Sequence, residues 1–204
     1  MFVTLEGGEG AGKSTQARRL ADALRAAGRT VLLTREPGGA PGAELVRDTL
    51  LHGAVAFTPE AETFLHFAAR AEHLARAIVP ALAAGQVVVC DRFADSTLAY
   101  QGYGHGVKLE RIAALTAMLG RAPDLTLILD VSAAVAERRL AGRGQPADRY
   151  EALDAAFHDR VRAGFRAIAA AAPDRCVQID ADADPDTVHA AILAAVRTAY
   201  RRAP

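Results

Sequence analysis

The chain has 204 residues, enough for one domain with a sizeable core and too few for a motor or transporter ATPase carrying partner-binding domains. Basic and acidic residues balance at 24 each, so no global field draws in nucleic acid or anionic lipid, and any anion has to be gripped locally. Cys90 and Cys176 lie in apolar runs without metal-ligand spacing, and neither a signal-like N-terminus nor an apolar run of 18 residues occurs, so a reduced, soluble, cytoplasmic protein is expected.

The first element is FVTLE, an apolar run ending near Glu6 that predicts a buried strand. Four similar runs follow: TVLLTR at 30–35, QVVVCD at 86–91, LTLILD at 125–130 and CVQID at 176–180. Between and after them, Ala-rich segments carry apolar residues three and four apart, at 15–27, 59–84, 107–119, 132–141, 151–171 and 185–201. In the second of these, Phe64, Ala68, Ala71, Leu74, Ile78 and Leu82 predict the buried face. Strands apolar throughout, alternating with helices long enough for crossovers, give an α/β fold: a doubly wound five-stranded parallel sheet flanked by helices. Residues 1–204 read as a single domain, and the polar, Gly- and Arg-rich AGRGQPADRYE at 141–151 reads as a mobile lid between two helices.

Between the first strand and first helix lies LEGGEGAGKST, matching G-x-x-x-x-G-K-[ST] at Gly7, Gly12, Lys13 and Ser14. Only Lys13 and Lys108 are lysines, the other 22 cations being arginines, so a lysine here marks a place for a compact, flexible point charge. The turn Gly7, Gly8, Glu9, Gly10, Ala11, Gly12, Lys13, Ser14, Thr15 is expected to wrap the phosphates of a nucleotide with backbone amides, with Lys13 reaching the β- and γ-phosphates. A simple helix-capping turn would need neither the lysine nor so many glycines. Ser14 is expected to ligate Mg²⁺, with Asp91 as its partner in preference to Asp130; both aspartates end apolar strands, and either could instead cap a helix.

The phosphate loop fixes the donor better than the function. A guanine-specific N-K-x-D motif is impossible with no lysine after Lys108, which disfavours a GTPase switch and leaves a small-molecule kinase. LEGGEGAGKSTQ, TREPGG at 34–39, FAAR at 67–70, DRFADSTLAYQG at 91–102, APDLTLILDV at 122–131 and the GR…DRYE segment together resemble the bacterial thymidylate kinases, in order as far as about residue 160. The resemblance implies transfer of the γ-phosphate of MgATP to dTMP by a homodimer. It implies that Arg35 and Arg92, both at strand ends, bind the dTMP phosphate, that Phe67 stacks on thymine and that Arg70, three residues on, donates to O4. It also implies that Thr97 meets the base edge, that Tyr100 crowds the sugar 2′ carbon with Gln101 beside it, and that Glu9 approaches the 3′ hydroxyl. With Gly10 after Glu9, the resemblance implies that the catalytic arginine comes from the lid, at Arg143 or Arg149. His66 is read as a spacer. Taken without the resemblance, Phe67 reads as core, and solvated surface is the lesser alternative for Arg35 and Arg92. The alternatives are another nucleoside monophosphate or deoxynucleoside kinase, and an ATPase switch serving a protein partner.

Overall fold

The computed structural model describes residues 1–142, 144 and 149–202. Five strands, β1 (Phe2–Glu6), β2 (Val31–Arg35), β3 (Val87–Asp91), β4 (Leu125–Asp130) and β5 (Cys176–Asp180), form one all-parallel sheet in the order β2-β3-β1-β4-β5. Each stands within a residue of the apolar run that predicts it. β1 is central and buried throughout, whereas β2 at one edge is half-buried, so the expectation of full cover on both faces holds for the inner strands only.

The helices are α1 (Lys13–Ala26), α2 (Pro41–His52), α3 (Pro59–His73), α4 (Val79–Ala83), α5 (Ala94–Thr97), α6 (Leu109–Met118), α7 (Ala133–Ala141), α8 (Ala155–Ala171) and α9 (Pro185–Arg202). One π-helical segment (Leu74–Ile78) joins α3 to α4 and another (Leu98–Gly104) prolongs α5. The apolar spacing did not reveal α2, which opens with proline at its first position and buries only Ala43 and Leu50. α8 begins at Ala155, four residues later than expected, where the Asp154 carboxylate accepts from the Phe157 N–H at 2.7 Å and caps the helix.

α3 corrects the sequence reading more sharply. Its buried face is Glu62, Thr63, His66, Phe67, Ala69, Arg70 and His73, while Phe64, Ala68 and Ala71 are exposed. The helix turns its polar side inward because a polar cavity lies there. The main core joins β1, β3 and β4 to α1 and α9 through Leu5, Leu20, Val89, Leu127 and Ile192, and a second cluster sets Tyr100, Tyr150, Phe157 and Phe165 beneath α8. Cys90 and Cys176 are buried free thiols.

Candidate active site

The carboxyl ends of β1, β2 and β3 open onto a cavity of about 760 Å³, lined by the 9–18 turn, the ends of β2 and β3, the inner face of α3, the α5 region and residues 139–142, 150 and 151. Such strand ends are where open α/β sheets bind ligands. The turn after β1 has to be glycine at two places. A Cβ on Gly7, at φ 138°, would lie 2.4 Å from the Leu129 carbonyl oxygen, and one on Gly10, at φ 70°, 2.8 Å from the Ala136 backbone. Glu9, Gly10, Gly12, Lys13, Ser14 and Thr15 line the cavity, whereas Ala11 is packed in the main core. Gly8 supplies the acceptor for Lys13, whose Nζ donates to its carbonyl at 2.6 Å. Burial, then the nearby Arg92, lowers the Lys13 pKa to about 8.

Ser14 Oγ donates to Asp91 Oδ2 at 2.5 Å, and Asp91 Oδ1 is buried with no hydrogen-bond partner among the described residues. A hydroxyl beside an orphaned carboxylate oxygen is a donor set that suits a Mg²⁺ ion or its bound water. Asp130 is elsewhere: it pairs with Arg166 at 2.9 Å and accepts from Gln178 at 2.7 Å.

Arg92 follows β3 with φ 70°, an uncommon conformation for a residue with a side chain, which turns its guanidinium back across the sheet edge. Nη2 meets Glu9 Oε1 at 2.5 Å and the Tyr100 hydroxyl at 3.2 Å, and Nη1 donates to the Gly7 carbonyl at 3.1 Å. Tyr100 donates to the same Glu9 oxygen at 2.7 Å. Burial would raise the Glu9 pKa, but Arg92 and Lys13 outweigh it and hold the carboxylate at about 2. Beneath them Glu6, buried at the end of β1, accepts from the Phe93 N–H at 2.7 Å and from Ser96 Oγ, so it clasps the turn that carries Arg92. Burial first, and Asp95 second, raise the Glu6 pKa to about 7.

On the α3 side, Arg70 donates to Glu36 at 2.7 Å and to Thr97 Oγ1 at 3.0 Å, with its guanidinium over the Phe67 and Phe93 rings at 4.9 and 5.1 Å. Arg70 Nη1 is buried with no partner among the described residues. Phe67 packs with Val107 and Ile112, and Arg70 rather than Phe67 lines the cavity. Gln101 donates to Glu62 at 2.8 Å, and the Tyr150 hydroxyl meets Glu62 at 2.9 Å and His66 Nε2 at 2.9 Å. His66 is therefore more than a spacer; burial, then Arg70, depresses its pKa to about 3 and keeps it neutral. Arg35 lines the cavity and pairs with Glu44 at 3.0 Å. Arg149 pairs with Glu62 at 3.3 Å, and Arg143 lies outside the described residues.

Sequence reasoning missed Glu6, Glu36, Glu62 and Tyr150. It also missed Arg139, which lines the cavity and donates to the Gly10 carbonyl at 3.4 Å. The signal available for Glu36 was its place within TREPGG.

The "Thymidylate kinase" family model matches residues 5–192. A thymidylate kinase of Gluconobacter oxydans is 56% identical over 200 residues, covering 96% of this chain and 94% of that protein. One from Caulobacter vibrioides is 56% identical over 194 residues, covering 94% and 93%. A crystal structure of thymidylate kinase from Ehrlichia chaffeensis superposes with a TM-score of 0.80 at 36% identity, covering 97% of this chain and 98% of that one.

Proposed function

The chain belongs to the thymidylate kinase family, enzymes that phosphorylate dTMP with ATP as donor, and from that membership we propose how its own residues carry out the transfer. The γ-phosphoryl group passes to a dTMP 5′-phosphate oxygen as its bond to the ADP oxygen breaks, so two polyanions must be brought into line. The single observation that carries the assignment is the cavity with the Lys13 turn at one wall and Arg70, Thr97, Tyr100 and Gln101 at another. Gly7 to Thr15 cradle ATP, and Lys13 leaves the Gly8 carbonyl for the β- and γ-phosphates. Ser14 and Asp91 would hold Mg²⁺, which supplies charge neutralisation across the phosphates when bound. Arg92 and Arg35 bind the dTMP phosphate through forked donors. Arg70 donates to O4 and Thr97 meets the base edge, with Phe67 backing the Arg70 guanidinium instead of stacking on thymine as the resemblance implied. Tyr100 and Glu9 border the sugar, with Gln101 alongside.

The chain acts as one domain, with 141–151 as a lid whose Arg143 or Arg149 closes on the transferring group and excludes water. For Arg149, closure requires release from Glu62. A homodimer fits the apolar stripe Phe64, Ala68, Ala71 and Val79 on α3 and α4, with Phe64 52% exposed. A cytoplasmic setting fits the two free thiols; among the described residues no helix is long and apolar enough to cross a membrane. The test is product formation: incubation with MgATP and dTMP should yield dTDP and ADP in equal amounts, with kcat/KM for dTMP above those for dUMP, dCMP and AMP. Hydrolysis of ATP without a phosphorylated nucleotide would overturn the reading.

A further inference from the structure

We propose that Glu36, braced by His73, is the positioning residue that sets base selectivity, fixing Arg70 so that its guanidinium meets the pyrimidine 4-substituent with N–H donors. The proposal rests on the placement of thymine beside Arg70 given above.

A hydrogen-bonded chain, buried from His73 onward, runs from β2 to the proposed base pocket. Thr34 Oγ1 lies 2.8 Å from His73 Nε2, His73 Nδ1 lies 3.0 Å from Glu36 Oε1, and Glu36 Oε2 accepts from Arg70 Nε at 2.7 Å. Glu36, Arg70 and His73 are 5%, 2% and 0% exposed. The carboxylate can only accept, so His73 Nδ1 carries the proton that binds it. Both Glu36 oxygens are thereby engaged, one by the ring and one by the guanidinium. The carboxylate also balances a cation that burial would otherwise disfavour.

The guanidinium carbon packs 4.9 and 5.1 Å from the Phe67 and Phe93 ring centroids, and the bond to Glu36 restrains its rotation there. Nη2 donates one of its two hydrogens to Thr97 and keeps the other, and Arg70 and Thr97 both line the cavity. The Thr97 oxygen, accepting from Arg70, keeps its own hydrogen to give. A 4-oxo pyrimidine accepts from the donor-only guanidinium, whereas a 4-amino pyrimidine brings hydrogens against its hydrogens. A site built on buried donors discriminates strongly, because the wrong partner leaves them unsatisfied.

The loop after β2 is shaped for this chain. A Cβ on Gly39, at φ 82°, would lie 2.3 Å from His73 Nε2 and 2.4 Å from Thr34 Oγ1. Glycine there lets the backbone close over the histidine.

The experiment compares wild type with Glu36→Gln, using kcat and KM for dTMP and dCMP at saturating MgATP, the KM for ATP, and thermal unfolding as a check on the fold. The ratio of kcat/KM for dTMP to that for dCMP should fall by about tenfold or more, the size of one lost charge-assisted hydrogen bond. The loss should lie mainly in the dTMP KM, with the ATP KM unmoved. If Glu36→Gln does not fold, His73→Gln is read for the same change in ratio. An unchanged ratio in a folded variant, or equal losses for both nucleotides, overturns the proposal while leaving the thymine site standing. A wild type indifferent between dTMP and dCMP overturns the thymine site and this inference together.

Discussion

In the proposed transfer Glu9 puts a carboxylate where two polyanions have to meet, and Arg92, Lys13 and Tyr100 around it balance that charge. Its grip on Arg92 holds the guanidinium at the cavity wall before any phosphate arrives. Arg92→Ala should lower kcat/KM for dTMP by about a hundredfold or more with the fold intact, since charge-assisted contacts to phosphate are worth roughly 1.5–3 kcal/mol each and Arg92 can supply two. A near-normal value in steady-state assays would refute its role. Lys13 gives a pH signature. With its pKa lowered to about 8, the free enzyme loses this charge as pH rises through 8, so the dissociation constant for ATP should climb between about pH 7 and 9. Isothermal titration across that range measures it, and Lys13→Arg should remove the inflection. Lys13, Ser14 and the glycines were legible because their pattern is local. Glu6, Glu36 and Tyr150 were not, because their partners are distant in sequence: Glu6 meets Phe93 across 87 positions, Arg70 meets Glu36 across 34, and Tyr150 meets Glu62 across 88.

Among the elements, the strands and α1 were readable because apolar runs and a glycine turn are specified over a few neighbours. α3 was not, because a helix that lines a polar cavity buries the residue types that hydropathy assigns to solvent. α2 escaped notice for a related reason, with too few buried positions to set up a period. The junction of β1 with the turn before α5 depends on Glu6, and its titration predicts a stability change. Its pKa is raised in the folded chain to about 7 from an ordinary 4.5, so the folded state holds a proton that the unfolded state has released between those values. This contribution is present below about pH 4.5 and is lost as pH rises through 7. Wild type should therefore lose stability relative to Glu6→Gln between pH 5 and 7.5, measured by urea unfolding at each pH; parallel curves would sink the assignment. Gly39→Ala should destabilise the loop after β2 by about 2 kcal/mol or more, since the added methyl meets His73 and Thr34 at a positive φ, and the urea midpoint reports it.

For the molecule as a whole, the five-strand order gathers residues from positions 9 to 151 around one cavity, where the proposed donor and acceptor sites lie. The sequence pattern was sufficient for the architecture, since parallel strands with intervening helices admit few topologies. The outer surface was harder to read, because the apolar stripe of α3 was assigned to the interior. If that stripe joins two protomers, Phe64→Glu should shift sedimentation from dimer to monomer at micromolar concentration, and an unchanged coefficient would exclude the stripe as the contact. The left-handed backbone at Arg92 has a different reach. A side chain at φ 70° costs on the order of 1–2 kcal/mol relative to glycine. Two equally inactive enzymes, Arg92→Gly and Arg92→Ala, should thus differ in heat resistance, glycine melting higher. Selection for thermal hardiness at this position therefore weighs the backbone strain against the ion pair with Glu9 that the same backbone allows.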